Sequence, residues 1–190
     1  MKPLVTAIFA ALAAIGQPAP DFTAKTVKGE SVSLADFKGK VVVLEWTNFE
    51  CPFVKKHYSS ANLPKLQETY TAKGVVWLTV NSAAEGKQGY LDPAAMAERA
   101  AKEGNKASHI LMDTDGKIGK AYGAKVTPHL FIINKEGVLA YDGAIDSKAT
   151  TKNEDIATAD PLFANALDAV LADKEVPMAK NQPYGCGVKY

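Results

Sequence analysis

The stretch Val41-Val42-Val43-Leu44-Glu45-Trp46-Thr47-Asn48-Phe49-Glu50-Cys51-Pro52-Phe53-Val54-Lys55-Lys56 decides the fold. Its opening run is short and apolar, as in a buried strand. Pro52 suits the first position of a helix, because its missing N–H would have been unpaired there and its φ is already helical. Cys51 therefore falls where a buried strand ends and a helix begins, with Lys55 and Lys56 one helical turn beyond it.

A thiol at that junction is chemically distinctive. The unpaired N–H groups of the first turn and the helix macrodipole present partial positive charge to the sulfur. At an ordinary pKa of about 8.5 only about 3% of a cysteine is ionised at pH 7, whereas a helix N-terminus brings the pKa to about 7 or below. A buried, inert cysteine fits the same local pattern. Far downstream, Thr127-Pro128 opens a second apolar run, Leu130-Phe131-Ile132-Ile133, and a proline loop facing the thiol is what thiol redox chemistry needs.

Outward from these landmarks the chain reads as one α/β domain. Its 190 residues are 47% hydrophobic with a formal charge of +1, enough for a full-sized core. The cations are lysines apart from Arg99, so there is no basic footprint for nucleic acid. Residues 22–33 alternate around Lys28-Gly29 as a hairpin, and the helix after Cys51 should run to about Tyr70 with a break between Ser59 and Pro64. A second central strand is expected at 74–81, a helix from Pro93 to Ala101, a strand at 109–112 and a short helix from Ile118 to Tyr122. The turn Asn134-Lys135-Glu136-Gly137 should join 129–133 to 138–141 as an antiparallel pair. Asp160 is expected to cap a last helix with Leu162, Phe163, Leu167, Val170 and Leu171 on its inner face. Strands alternating with helices and an antiparallel finish predict a mixed sheet covered by helices.

The N-terminus has a different character. Met1-Lys2, an apolar stretch from Leu4 to Ile15 and Ala11-Leu12-Ala13 have the layout of a secretory signal, too short to span a membrane. An N-terminal helix of a cytoplasmic protein is the alternative. The export reading divides the chain into a signal peptide at 1–15, a domain at 16–175 and a tail at 176–190 carrying Cys186. In a periplasmic or secreted protein both cysteines would lie in an oxidising compartment.

The ordered set of hairpin, strand, Cys51 at a helix start, second strand, Ala121-Tyr122-Gly123-Ala124, Thr127-Pro128 and the 134–137 hairpin resembles the thioredoxin-fold redoxins. It is most similar to the peroxiredoxin-like proteins of the alkyl hydroperoxide reductase/thiol-specific antioxidant superfamily. Gly16-Gln17-Pro18-Ala19-Pro20-Asp21-Phe22 and Gly39-Lys40-Val41-Val42-Val43-Leu44 carry the likeness, as do the segment from Glu50 to Tyr58 and the ending Tyr184-Gly185-Cys186-Gly187-Val188-Lys189-Tyr190. The resemblance covers residues 16–190. It implies a thioredoxin-like α/β fold with a cis proline at Pro128 lying against the active cysteine, and an antioxidant or thiol oxidoreductase activity.

Departures from that pattern narrow the chemistry. Where thioredoxin-type enzymes place a second cysteine three residues after the first, this chain has Val54. Where peroxiredoxins place a hydroxyl three residues before the cysteine it has Asn48, with Thr47 one residue earlier. The arginine expected beside the thiolate has no counterpart except Arg99, which falls in a predicted surface helix. The candidate site is therefore Cys51, with Cys186 as a resolving thiol, a staple for the tail or a free thiol open to intermolecular pairing, Pro128 and Thr127 in the facing loop, Asn48 as a donor to thiolate or peroxide or else a backbone cap, and Lys55 as a source of positive field.

On this reading the Cys51 thiolate attacks a peroxide or a protein or small-molecule disulfide, with a thiol reductant of unknown identity completing the cycle, no cofactor and no stable membrane association. It requires the sulfur to be reachable by an oxidant. The rival from another class is a non-catalytic binding module, either for a partner protein with Cys51 and Cys186 joined as a structural disulfide, or for a metal on Cys51, His57 and His129. Cys-X5-His alone does not define a metal site, and Asp113-Thr114-Asp115-Gly116 lacks the later ligands of a calcium loop.

Overall fold

The structure, a computed structural model, describes residues 12–190. Residues 1–11, most of the segment read as a signal peptide, lie outside the described residues. The remainder of that segment packs on the domain: the Ala13 N–H donates to the Ala121 carbonyl at 3.0 Å, and Ile15 joins one of the two cores.

The chain opens with the hairpin β1 (Thr23–Thr26) and β2 (Ser31–Ser33), followed by a 3-10 turn at Leu34–Phe37 and the buried strand β3 (Val42–Trp46). Two helices follow, α1 (Pro52–Ser59) and α2 (Asn62–Thr71), broken where the sequence predicted. Ala61 takes the left-handed φ of 58° at the break, and Pro64 sits in the first turn of α2, where its missing N–H costs nothing. The order continues with β4 (Val76–Asn81), α3 (Pro93–Lys102), β5 (His109–Met112), α4 (Lys117–Tyr122), β6 (Val126–Thr127), β7 (His129–Ile133), β8 (Leu139–Gly143), α5 (Leu162–Leu171) and β9 (Cys186–Gly187).

Seven strands form one mixed sheet in the order β2-β1-β5-β4-β3-β7-β8. β3 lies inside it, parallel to β4 and antiparallel to β7, with Trp46 opposite Val80 on one side and His129 on the other. Alternation along the strands splits the core. Val41, Val43, Trp77, Leu130 and Ile132 meet α1, α2, α3 and α5 on one face, and Val42, Leu44, Trp46, Leu78 and Phe131 meet α4 on the other. A mixed sheet flanked by helices, with an N-terminal hairpin, is the architecture the resemblance implies.

Some local expectations give way. Asp160 does not cap α5: Pro161 holds that position without a side-chain cap, and it is the Asp160 backbone carbonyl that accepts the Leu162 N–H. Phe163, Leu167 and Val170 are buried as expected, with Ala166 beside them, while Leu162 and Leu171 are half-buried. A 3-10 turn at Asn153–Thr158 occupies a stretch without a clear period. The two-stranded ladder of β6 and β9, pairing Val126 with Gly187 and Thr127 with Cys186, has no signal in the local sequence.

Candidate functional site

Cys51 is the N-cap of α1, with Pro52 at the first helical position. The loop delivering it is held by backbone and side chain together. The Cys51 N–H donates to the Asn48 carbonyl at 2.9 Å, and Asn48 Oδ1 accepts the Glu50 N–H at 2.9 Å. Asn48 Nδ2 turns toward the Gln88 carbonyl at 3.4 Å, so both ends of the amide serve backbone rather than the sulfur. Arg99 also reaches this loop. Its Nη2 donates to the Phe49 carbonyl at 3.0 Å, and its Nε pairs with Glu103 at 2.7 Å. The single arginine thus anchors the turn before Cys51 from α3, a role that helix periodicity alone does not show. Lys55 points outward and is exposed.

The Thr127–Pro128 peptide bond is cis, and the loop it shapes lies directly on the sulfur. Cys51 Sγ donates to the Thr127 carbonyl at 3.1 Å. Cys186 completes the constellation: the two sulfurs are 2.7 Å apart, unbonded, against about 2.05 Å for a disulfide. β9 places it there by pairing with β6, so Thr127 faces Cys51 through its carbonyl and Cys186 across the ladder. Cys51, Cys186, Thr127 and Pro128 come together; Asn48 and Lys55 take other directions.

The two thiols are electrostatically unequal. Burial opposes ionisation of Cys51, but it is outweighed by hydrogen bonds from the Cys186 thiol, the amides of Val54 and Cys186 and the side chain of Thr127, so the Cys51 thiol lies below its ordinary range. Val54 lies in the first turn of α1, so the helix start lends the sulfur one of these amides as well as its field. Cys186 is pushed up to about 11, first by burial and then by its bond to Cys51 and the negative charge that Cys51 carries. Of the two, Cys51 is the sulfur that ionises first, giving up the proton it otherwise lends to the Thr127 carbonyl, while Cys186 holds its own.

Access corrects the sequence-based picture of an open sulfur. Cys51 is 0% exposed, covered by the tail, while Cys186 is partly exposed. The tail is anchored on both sides of it. Upstream, the Tyr184 hydroxyl donates to Asp146 Oδ1 at 2.5 Å and accepts from His57 Nε2 at 3.1 Å. His57 Nδ1 faces the Asn62 amide at 2.9 Å, which fixes the neutral Nε2–H tautomer. Burial pushes His57 down to about 4, against the pull of Asp146 and aided by Lys56. Lys56, not Lys55, is the cation turned inward: it is 1% exposed, with Nζ 3.8 Å from Asp146 Oδ2 and 3.0 Å from the Lys148 carbonyl. Downstream, Val188 N–H donates to Lys125 at 3.0 Å and Ala84 N–H to the Lys189 carbonyl at 2.8 Å. The Tyr190 hydroxyl reaches the Ala124 carbonyl at 2.8 Å, its ring lying over Gly116 and Gly119, where side chains would collide with it.

Neither histidine proposed as a ligand is open. His57 is engaged at both nitrogens, and His129 accepts from the Lys125 N–H at 3.3 Å and donates to Asp142 at 2.8 Å. Among the described residues no three His, Cys, Asp or Glu side chains converge as a metal site would require.

A second buried acid escaped the motif reading. Glu45 is 0% exposed and accepts from Tyr58, Gln67 and Trp77, each at 2.8 Å. Burial pushes its carboxyl up to about 7 against these three bonds. The signal was present as one charge in an otherwise apolar strand.

Comparison with known proteins bears on the family and the fold. A family model described as Redoxin matches residues 14–160. The thiol-disulfide oxidoreductase ResA of Geobacillus thermodenitrificans is 28% identical over 124 residues, 65% of this chain and 66% of that relative, so the match spans just under two thirds of its length. Among solved structures, an uncharacterized conserved protein from Geobacillus kaustophilus superposes with a TM-score of 0.79 at 28% identity, covering 94% of this chain and 93% of that one. A hypothetical protein from Sinorhizobium meliloti 1021 gives 0.78 at 25% identity, covering 93% and 94%.

Proposed function

This chain belongs to the Redoxin family, and from that premise we propose that it is a thiol-disulfide oxidoreductase whose working pair is Cys51 and Cys186. The observation that carries the reading is the 2.7 Å approach of the two sulfurs, one of them favoured as thiolate. A thiolate in contact with a protonated thiol becomes a disulfide by losing two electrons and one proton, with little movement of the scaffold. The similarity to a thiol-disulfide oxidoreductase supports disulfides as substrates and thiols as reductants. The apolar leader with Lys2 and the use of a cysteine pair support action in an exported, oxidising setting.

Disulfides are favoured over peroxide as the substrate. Asn48 and Arg99, which stand in for a peroxidase's polar helpers, are both spent on backbone carbonyls and amides of the loop, and a covered Cys51 offers no open pocket for a peroxide oxygen.

The test is turnover of a disulfide-bonded peptide by the full chain with dithiothreitol as reductant, for the parent and for Cys51→Ser and Cys186→Ser. The reading expects catalysis above dithiothreitol alone that either substitution abolishes. Turnover indifferent to Cys186→Ser would overturn the pair, and turnover no faster than dithiothreitol alone would overturn the activity.

A further inference from the structure

A working cysteine pair must expose one sulfur to its partner, and here the helix-start cysteine is the sealed one. Cys51 is 0% exposed beneath the tail, whereas Cys186 is partly exposed on β9. Gly185 and Gly187 flank it, and they are glycines for different reasons. Gly185 has a φ of +141°, and a Cβ there would strike the Thr127 carbonyl. Gly187 needs neither special backbone nor space: a Cβ would meet only the Lys125 carbonyl at 3.9 Å, an ordinary contact, and the residue is exposed. Packing does not explain its lack of a side chain, but clearance for another backbone does. Among the described residues β9 also has a strand neighbour on one side only, which leaves a backbone edge beside the sulfur for an extended segment to approach.

We propose that Cys186 is the sulfur that exchanges with the redox partner, that the partner presents its thiol or disulfide on an extended polypeptide segment passing over Gly187, and that Cys51 acts as the internal thiolate. This rests on the Cys51–Cys186 pair being the working pair and assigns the roles within it. In the reducing half-reaction a partner thiolate attacks Cys186 Sγ. A bond forms between the partner sulfur and Cys186, the Cys51–Cys186 bond breaks, and Cys51 leaves with the electron pair. Attack at this sulfur is favoured by access and by the stability of the departing thiolate. The partner's second thiol, having lost its proton to solvent, then attacks the partner sulfur of the mixed disulfide. The partner becomes a disulfide, and Cys186 leaves as a thiolate and takes up a proton. Two electrons pass from a partner dithiol to the protein disulfide, one proton stays on Cys186 and one is released.

The experiment oxidises the full chain to its internal disulfide, mixes it briefly with glutathione, quenches with acid and N-ethylmaleimide, and maps both cysteines by mass spectrometry. The proposal expects glutathione on Cys186 and maleimide on Cys51, by at least about tenfold over the reverse. Glutathione found mainly on Cys51 overturns it while leaving the working pair intact. Failure of the internal disulfide to form under mild oxidation overturns the pair itself, and the proposal with it. In parallel, reduced Cys51→Ser should take up glutathione from glutathione disulfide faster than reduced Cys186→Ser, and the opposite order counts against the assignment. Gly187→Leu should slow reduction by glutathione at least severalfold more than reduction by the smaller dithiothreitol. Equal slowing, or none, removes the extended-segment part of the proposal.

Discussion

Thr127 stands opposite Cys186 in the β6–β9 ladder while its carbonyl accepts the thiol of Cys51 at 3.1 Å. One backbone unit therefore sets the height of both sulfurs: the carbonyl fixes Cys51 from above, and strand pairing fixes Cys186 beside it. The consequence is a pair whose geometry depends on a two-residue ladder, and whose chemistry depends on the tail staying in register.

The thiols should titrate in two well-separated steps. Thiolate absorbance followed from pH 5 to 12 should show the first ionisation of the pair below the range of a free cysteine and the second near about 11. Cys186→Ala should leave a single step. Two overlapping steps near about 8.5 would mean that the sulfurs do not share a proton.

Gly185→Ala should unseat the tail without unfolding the domain. A Cβ at φ +141° would strike the Thr127 carbonyl, which as backbone cannot yield, whereas the tail meets the two cores through the half-buried Tyr184, Cys186 and Val188 at their edges. The expected outcome is a fall of at least about tenfold in the effective concentration of Cys186 at Cys51, read as slower disulfide closure, with the urea midpoint nearly unchanged. Closure at the parent rate would show that the tail tolerates a shift there.

Tyr184→Phe removes the hydroxyl shared by Asp146 and His57. Among the described residues Asp146 Oδ2 has no hydrogen-bond partner, with Lys56 Nζ 3.8 Å away, and without the Tyr184 hydroxyl its Oδ1 keeps the Lys148 N–H at 2.9 Å alone. A bond to a charged group is worth about 1.5–3 kcal/mol, so amide protection at residues 186–188 should drop by roughly ten- to a hundredfold. Unchanged protection would place the anchoring of the tail downstream, at Tyr190.

Glu45 makes stability depend on pH in a definite direction. Its carboxyl is raised to about 7 from 4.5, so the folded state binds more protons across that window and the contribution of Glu45 is present below it and lost as pH rises through about 7. The loss is on the order of 3 kcal/mol. His57, lowered to about 4 from 6.5, acts in the opposite sense, adding stability as pH rises between those values. The two partly cancel in the parent. In urea denaturation from pH 4.5 to 7.5, the stability of the parent minus that of Glu45→Gln should fall steadily with pH; a constant difference contradicts the assignment.

The sequence shows how far local rules reach. Val41 to Trp46, Pro52 after Cys51 and the Asn134–Gly137 turn announce their own structure, because burial, helix-start chemistry and turn geometry are decided within a few residues. The helix break near Ala61 is legible for the same reason. Lys55 and Lys56 show the limit: both follow Cys51 by about a turn, and only the packing of α1 against Asp146 and Tyr184 decides which one is buried. Asn48 and Arg99 are decided by Gln88 and Phe49, partners on other elements. The meeting of Cys186 with Cys51 joins residues 135 apart in the chain, through a ladder too short to carry a hydrophobic pattern.

β3 and β7, which lead into Cys51 and out of Pro128, pair across five successive residues from Val42–Ile133 to Trp46–His129. Those halves of the centre can part only if the sheet itself comes undone, whereas the third component hangs on a far weaker hinge. If the two cysteines are the working pair, their reactivity is open to adjustment through the few residues from Gly185 to Gly187, away from the Tyr184 anchor and from the strands that carry most of the core.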